Sequence, residues 1–477
     1  MKRLRPTPLP LKAGVLAILT FALGACTAGP DYVRPAAPVT PAFKEAQGWK
    51  TATPADDAPR GEWWRPFGDA DLDPLVRQVE ISNQTLAAAE ARVREARAAT
   101  AAARAGLLPS VSGSASASRG GRGGGASSGS GPGNSFDLAL DAGWEIDLWG
   151  RVRRGVEASA ASAQASAGDL ASARLSAQAL LVQDYLLLRV QDAEIDLLRS
   201  TVAGYERSLQ LTNNQYAVGV VARADVVQAD AQLKSTQAQV LDATIQRAQL
   251  EHAIAVLVGK PPAELEIAPR RFAPTFPDIP LALPSELLER RPDVAAAERR
   301  VAAANAQIGV AQAAFFPALS LSASGGLQSS TLGNLLSLPS RTWSLGAGLA
   351  QTIFDAGLRQ AQKSQAIAAY DEAVANYRAT VLAAFQDVED NLAALRLLEQ
   401  EAAVQADAVK AAQQAAAIVG NQYKAGIVNY VTVVVLQAAA LSAQRTELAI
   451  VGRRLTAAVA LIKALGGGWN AAALPAP

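Results

Sequence analysis

The sequence predicts a mainly helical protein with a small membrane β part, built from two copies of one unit. Matching residues recur at a near-constant offset: Glu90 and Glu298 are 208 positions apart, and Gly150 and Gly357 are 207 apart. Long Ala-rich stretches without proline carry apolar residues at helical spacing. Short segments of about ten residues alternate between apolar and polar side chains, as in a strand with one face in lipid and the other in water. These observations indicate an internally duplicated chain with few strands and very long helices.

Composition argues against several classes of function. The chain has 477 residues and a formal net charge of +1, which gives no reason to expect a nucleic-acid partner. A single Cys excludes an internal disulfide or a Cys-based metal site, and one His and one Met leave little for metal ligation. No phosphate-binding Gly-rich loop precedes a helix, and His252 lies in a helical stretch without a catalytic arrangement around it. We therefore expect no enzyme activity and no cofactor, and interpret His252 as structural or solvated.

The first 25 residues are expected to be a signal peptide rather than part of the fold. Basic residues within the first five positions precede an apolar run at 13–23 that is too short to span a bilayer comfortably. The run ends at Leu23-Gly24-Ala25-Cys26, which is typical of the lipobox of bacterial lipoproteins. Cys26 is the predicted acylation site, and Thr27 after it permits sorting to the outer membrane. The alternative is an ordinary signal peptide followed by an incidental cysteine.

The remaining chain is predicted to contain a tether, two repeats and a linker. Residues 26–62 are Pro-rich and weakly patterned, so they are expected to form an extended lipidated tether. The repeats are assigned to 63–259 and 285–468, with a Pro-rich linker at 260–284 and a tail at 469–477. Each repeat is predicted to run helix, strand, loop, strand, long helix, turn, long helix.

The strands are the part predicted to lie in a membrane. Apolar residues at even positions from 136 to 146 alternate with a face that carries Asp137, Asp141 and Glu145. Four strands separated by long helices make a poor soluble sandwich, and single-chain membrane barrels begin at about eight strands. An open sheet edge in lipid would leave backbone groups unpaired. Several chains are therefore expected to share one barrel.

The long helices are predicted to lie in water. The stretch from Arg151 to the first turn has about 60 residues and would be about 90 Å long at 1.5 Å per residue. The return helix, about 224–258, is shorter, and no helical stretch is apolar enough to lie in lipid. Their length favours crossing an aqueous compartment over building a compact domain.

A similar six-residue motif ends each of the two long helices. Its copies are Asn214-Gln215-Tyr216-Ala217-Val218-Gly219 and Asn421-Gln422-Tyr423-Lys424-Ala425-Gly426. Glycine ends a helix without a steric penalty, so each copy is predicted to be a tight turn between two helices. Apolar residues follow the glycine of each turn and are expected to be exposed there. Exposed apolar side chains often mark a site where a partner binds. The predicted contact residues are Gly219, Val220, Val221, Gly426, Ile427 and Val428.

Further short motifs occur in a fixed order along nearly the whole mature chain: the lipobox, Gly29-Pro30-Asp31-Tyr32-Val33-Arg34-Pro35, Trp63-Trp64, Phe67-Gly68-Asp69, Arg290-Arg291-Pro292-Asp293, Ala303-Ala304-Asn305-Ala306-Gln307-Ile308-Gly309, Phe316-Pro317, the two Tyr-x-x-Gly turns, and Leu465-Gly466-Gly467-Gly468-Trp469. This ordered set resembles the TolC-type outer-membrane efflux channels, in the lipoprotein subgroup represented by OprM. The resemblance implies a homotrimer in the outer membrane of a Gram-negative bacterium, with one shared twelve-stranded β-barrel and an α-barrel through the periplasm. It also implies that the helical tip meets a periplasmic adaptor and an inner-membrane pump.

The resemblance also suggests a gate near the turns. Asp225, six residues after Gly219, matches an acidic position of the family, and Tyr423 matches its tyrosine partner. A hydrogen bond between them is expected to help hold the closed state. Two further acidic positions of the family are occupied here by Thr432 and Val435. We therefore expect an apolar constriction that excludes water rather than a ring of carboxylates; the alternative is that the valines face neighbouring helices.

The expected function is passive export of small molecules, such as drugs and toxic compounds, through the outer-membrane exit of a tripartite pump. Asp137, Asp141 and Glu145 would face the barrel lumen and attract cations mildly, with Arg119 and Arg122 just above them. Channels for type I protein secretion or metal efflux remain alternatives, because the lipobox favours small-molecule efflux only by analogy. A lipid-anchored coiled-coil protein such as an adaptor is a further alternative, but it would lack the duplicated strands. In such systems the pump does most of the selecting, so the resemblance implies no particular cargo.

Overall fold

The computed structural model describes residues 27–46, 62–121, 132–277, 279, 290–469 and 474. The predicted signal peptide and Cys26, the predicted acylation site, lie outside these residues. Arg122 and parts of the tether, linker and tail also lie outside them.

The elements alternate between helices and β-hairpins in the predicted order. A 3-10 turn at Arg65–Phe67 leads into α1 (Leu72–Ser82) and α2 (Gln84–Ala105). The remaining elements of the first half are β1 (Ser110–Gly120), β2 (Gly133–Ile146), α3 (Arg151–Ala217) and α4 (Arg223–Leu257). Those of the second half are α5 (Pro292–Ala313), β3 (Ala318–Ser329), β4 (Arg341–Ala350), α6 (Leu358–Lys424) and α7 (Tyr430–Ala464).

The two halves repeat each other in helix length. Helices α2 and α5 each have 22 residues, α3 and α6 each have 67, and α4 and α7 each have 35. A 67-residue helix is about 100 Å long at 1.5 Å per residue, close to the length predicted from the sequence. The predicted duplication and the element order within each half are confirmed.

The four strands form one antiparallel sheet in the order β1-β2-β3-β4. The halves meet in this sheet, because β2 pairs with β3 along Leu138↔Leu327 and its neighbours. The side chains of residues directly opposite one another in a ladder point to the same face. The register therefore shows which side chains share each face of the sheet. Ala115, Leu138, Leu327 and their apolar neighbours share one face, while the acids and the strand serines other than Ser329 share the opposite face. The predicted alternation is confirmed, and β1 and β4 are left as the two edges of the sheet.

The largest apolar core surrounds the middle of the helical hairpins. Trp63, Trp64 and Phe67 are buried there against residues of α3 and α7 such as Leu181 and Leu461. Within the described residues, no helix combines the length and apolarity needed to cross a membrane. The same residues contain no group of three or more His, Cys, Asp or Glu side chains placed to hold a metal ion.

The described part of the tether, residues 27–46, contains no helix or strand and is packed against the helices. Arg154, at the start of α3, donates from Nη2 to Asp31 Oδ1 at 2.6 Å. From the other half, the side-chain amide of Asn305 donates to the Pro30 carbonyl at 3.0 Å. The Tyr32 hydroxyl donates to Glu298 at 3.1 Å, and burial and that carboxylate raise the pKa of Tyr32. Residues 27–34, called the strap below, therefore contact both halves of the chain.

Candidate channel tip and lumen

Both tips are closed by the same backbone hydrogen bonds. In the first, the Val220 N–H donates to the Gln215 carbonyl and the Gly219 N–H to the Tyr216 carbonyl, both at 2.9 Å. The second repeats this pattern 207 positions later, with Gly426 in place of Gly219. The two glycines have φ of +77° and +74°, the left-handed conformation that this helix ending requires. The predicted turns are confirmed, and the sequence signal was the glycine three residues after each tyrosine.

The two turns expose apolar side chains at the end of the helices. Val220 is 70% exposed and Ile427 is 71% exposed, whereas Val221 and Val428, one residue further on, are half-buried. The turn glycines are exposed as well. Val220 and Ile427 are thus two equivalent exposed apolar side chains at the tip, one from each half.

The two tip tyrosines have different surroundings although they occupy equivalent positions. Tyr216 is 46% exposed, while Tyr423 is buried against Tyr430 with ring centroids 5.3 Å apart. The Tyr423 hydroxyl donates to Gln215 Oε1 at 2.8 Å. The hydroxyls of Tyr430 and Ser208 are 3.1 Å apart and share a hydrogen bond. These two contacts tie the second helical hairpin, α6 and α7, to α3 of the first.

The expected hydrogen bond between Tyr423 and Asp225 does not form in this chain. Tyr423 packs against α3, which brings Gln215 rather than Asp225 to its hydroxyl. Asp225 instead lies half-buried in the first turn of α4, where a carboxylate interacts favourably with the helix dipole. It lies near Tyr430, since its charge adds to burial in raising the pKa of that tyrosine. The predicted pair is corrected to Tyr423 and Gln215, and Asp225 becomes a neighbour of the cluster.

Thr432 belongs to a helix cap that sequence reasoning missed. Its backbone N–H and its hydroxyl both donate to Asn429 Oδ1, at 3.1 and 2.7 Å. Asn429 is the N-cap of α7, and an asparagine just before an apolar helical run was the signal that could have revealed it. The equivalent residue in the first half is Ala222, which gives α4 no side-chain cap.

Val435 has a different environment from the two valines before it. Val433 and Val434 are buried among Tyr423, Tyr430 and other residues of the tip cluster, so for them the neighbouring-helix interpretation is correct. Val435 is 59% exposed, and Val431, one helical turn earlier, is 52% exposed. The exposed pair lies on a face of α7 that the rest of this chain leaves uncovered. A constriction built from Val435 and Thr432 stays a prediction.

The three strand acids share the polar face of the sheet but differ in their pairing. Asp137 accepts hydrogen bonds from two serine hydroxyls, at 3.0 and 3.4 Å. Glu145 accepts two hydrogen bonds from the Arg151 guanidinium, from Nη2 at 2.7 Å and from Nε at 3.0 Å, so much of its negative charge is offset. Asp141 is exposed and forms no side-chain ion pair among the described residues. Arg119 lies on the apolar face and not above these acids, because it is paired with Asn134, a residue of that face.

Comparison with known proteins gives a family for this architecture. The profile of the family described as "Outer membrane efflux protein" matches residues 75–260 and 283–467, one segment in each half. The toluene efflux pump outer membrane protein TtgC of Pseudomonas putida is 33% identical over 462 residues, 95% of each chain. The pyoverdine export outer membrane protein OpmQ of Pseudomonas aeruginosa is 32% identical over 458 residues, 94% of this chain and 95% of that one.

A solved structure supports the same assignment. The outer-membrane channel OprN superposes with a TM-score of 0.86 and 32% identity, covering 93% of this chain and 100% of that chain. Sequence and structure therefore agree over nearly the full length. The chain belongs to the outer membrane efflux protein family and is an outer-membrane exit duct of an efflux pump.

Proposed function

We propose that three copies of this chain form a passive duct whose gate lies at the helical tip. The observation that carries the proposal is a four-stranded sheet with one apolar face and two unpaired edges, continued by helices of 67 residues. Three such sheets joined edge to edge make a closed barrel of twelve strands, which removes the edges that lipid does not tolerate. The long helices then continue as a tunnel into the periplasm.

The gate combines a neutral latch with an apolar constriction. The Tyr423–Gln215 hydrogen bond and the Tyr430–Ser208 contact hold the second hairpin against α3. Val435 projects from that hairpin on an uncovered face, so three copies would bring three valines together around the axis. An apolar ring of this kind blocks ions by excluding water. Opening requires the second hairpin to move away from α3.

The tip is the proposed contact with a periplasmic adaptor, which in turn connects the duct to an inner-membrane pump. The exposed side chains of Val220 and Ile427 supply two apolar knobs per copy, or six in a trimer. Their equivalent geometry suits a partner that presents the same surface repeatedly. The cargo is proposed to be small organic molecules, because relatives are named for toluene efflux and pyoverdine export.

Acylation of Cys26 is supported by the position of the residues after it. The Ala28 N–H donates to the Trp149 carbonyl at 2.8 Å, and Thr27 packs against Gly150, where the sheet ends and α3 begins. Thr27, the residue after the predicted acylation site, therefore lies at the junction of strands and helices. That junction lies at the periplasmic surface of the membrane in the proposed duct, where acyl chains can enter the inner leaflet of the outer membrane.

Deletion of the gene, followed by a susceptibility panel of drugs, dyes, solvents and metals, tests the proposal. Loss of resistance to organic compounds, restored by the parent gene, is the expected result. The parent protein should also migrate in the outer-membrane fraction as a trimer that dissociates on heating. A strain that keeps its resistance but loses a secreted protein, or a protein that fractionates as a monomer, would overturn the proposal.

A further inference from the structure

The apolar face of the sheet carries two charged side chains among its described residues, and both are arginines. Arg119 is placed on this face by its pairing with Asn134, and Arg341 by its pairing with Leu327. Both arginines are exposed, and neither has an ion pair within the described part of the chain. The acids of the strands all lie on the opposite face. The charge on the lipid side of the described sheet is therefore positive.

Both arginines also lie at the same end of the sheet, next to the loops that join the strands of each hairpin. The apolar band from Phe136 to Ile146 has ten residue-to-residue steps, or about 34 Å of strand, which becomes about 25 Å across a bilayer for a tilt near 40°. Arg119 lies beyond this band, and Arg341, the first residue of β4, is level with Leu138, two positions inside its end. Trp343, two residues into β4, is 79% exposed, and tryptophan is enriched where lipid meets water. Arg119 thus lies at headgroup depth, and the long side chain of Arg341 can extend to that depth from just inside the band.

Barrel closure places the two strands that carry these side chains next to each other, in different copies. Arg119 is on β1 and Arg341 is on β4, which are the edges of the sheet. Within one copy, three strand spacings of about 14 Å separate these strands, and the two arginines are also offset by four residues along them. Closure places β1 of one copy about 5 Å from β4 of the next, so that two long arginine side chains can approach one ligand. This step rests on the trimeric barrel proposed above, which would hold three such pairs.

We propose that each arginine pair binds a phosphate group of the lipopolysaccharide in the outer leaflet. The long helices occupy the periplasmic end of this outer-membrane protein, so the loop end faces the exterior, where lipopolysaccharide fills the leaflet. A ligand on this face must insert acyl chains beside the sheet and present an anion at headgroup depth. The planar guanidinium matches phosphate oxygens with two parallel hydrogen bonds. Phosphorylated lipid A meets both requirements.

Native mass spectrometry of the full-length trimer in detergent, titrated with bisphosphorylated lipid A or with the enzymatically dephosphorylated lipid, tests this site. The Arg119→Gln/Arg341→Gln variant is expected to bind the bisphosphorylated lipid about 30-fold more weakly, since each arginine near a charged surface contributes about a factor of five. Removing the phosphates should weaken binding to the parent to a similar extent. The matched control is Arg94→Gln/Arg97→Gln on α2, which removes the same charge from exposed helical positions and should stay within twofold of the parent.

Several outcomes would overturn the proposal. It fails if the parent binds both lipids equally, or if the α2 control loses as much affinity as the strand variant. If the double variant does not assemble, the single variants Arg119→Gln and Arg341→Gln are tested instead. Each is expected to lose about fivefold in affinity for the bisphosphorylated lipid. Arg119→Lys/Arg341→Lys keeps the charge and should lose less than the glutamine pair. A parent that forms no trimer contradicts the proposed function instead, so the two failures are distinguishable.

Discussion

The hydroxyl of Tyr423 makes the most specific contact at the tip. It donates to Gln215 at 2.8 Å, between the second hairpin and α3. Tyr423→Phe removes this bond and leaves a partly buried amide oxygen without its partner, which costs about 1 kcal/mol. We expect a less stable closed state and a higher mean conductance in planar bilayers.

The duplication supplies a matched control for this substitution. Tyr216 is the equivalent residue of the first half, but it is 46% exposed. Tyr216→Phe should leave the conductance at the parent level. Equal conductance of the two variants would show that the Tyr423 hydroxyl does not latch the gate.

A charged substitution at Val435 tests whether the proposed constriction is apolar. Val435 is 59% exposed in one copy, and three copies of Val435→Asp would add three carboxylates around the axis. We expect ion conduction to rise and to favour cations, measured from the reversal potential in a salt gradient. The control is Gln228→Asp, at the equivalent exposed position of the first half. A Val435→Asp channel that passes ions no differently from the parent would contradict the constriction.

Asp184 makes the stability depend on pH. Burial on α3 raises the pKa of its carboxyl from 3.8 to about 6, so the folded state holds this proton more tightly than the unfolded chain does. The contribution of Asp184 to stability is therefore largest below about pH 4, falls as the pH rises to about 6, and stays low above that. Asp184→Asn should unfold at a higher temperature than the parent at pH 7.5, with the difference vanishing near pH 4. The exposed Asp196→Asn on the same helix is the control, and similar pH profiles for the two variants would refute the prediction.

At the scale of elements, the two return helices begin with the same backbone but with different caps. Ala222 has φ −78° and ψ 155°, and Asn429 has φ −79° and ψ 162°. Because the backbone already suits a cap, Ala222→Asn should stabilise the start of α4 by about 1 kcal/mol. Slower hydrogen exchange of amides in the first turn of α4 would show this.

The reciprocal substitution provides the comparison. Asn429→Ala removes the acceptor of both Thr432 hydrogen bonds and should speed exchange in the first turn of α7. Unchanged exchange in both variants would mean that the rest of the tip, not the cap, holds these turns.

The elements themselves could be predicted because each has a strong local signal. The return helix was expected at about 224–258 and runs from Arg223 to Leu257. The strand faces followed from a period of two, and the register places the even-numbered residues from Phe136 to Ile146 on one face and the three acids on the other. The partner of Tyr423 could not be predicted, because it lies 208 positions away and depends on how two hairpins pack together.

At the scale of the whole molecule, the packing of the strap against the helices also could not be predicted from the sequence. Residues 27–34 have no periodicity, and their partners, Arg154 and Asn305, are more than 120 positions away. Pro-rich composition predicts an extended backbone but gives no information about what that backbone lies against. Contacts of this kind depend on the assembled fold.

The strap joins the halves, and Arg154 is the residue on which that junction depends most. Its guanidinium is buried and donates to the Ala28 carbonyl, to Asp31 and to Glu157. Arg154→Gln removes its bonds to the Ala28 carbonyl and to Asp31, and each contributes about 1 kcal/mol because Asp31 is exposed to solvent, so the strap should detach more often. Limited proteolysis within residues 27–34 should become faster, and the trimer should dissociate at a lower temperature. Arg153→Gln, on the same helix but bonded to Asp147 rather than to the strap, is the control. Equal proteolysis rates for the two variants would show that the strap is held by its backbone and by the second half, without help from Arg154.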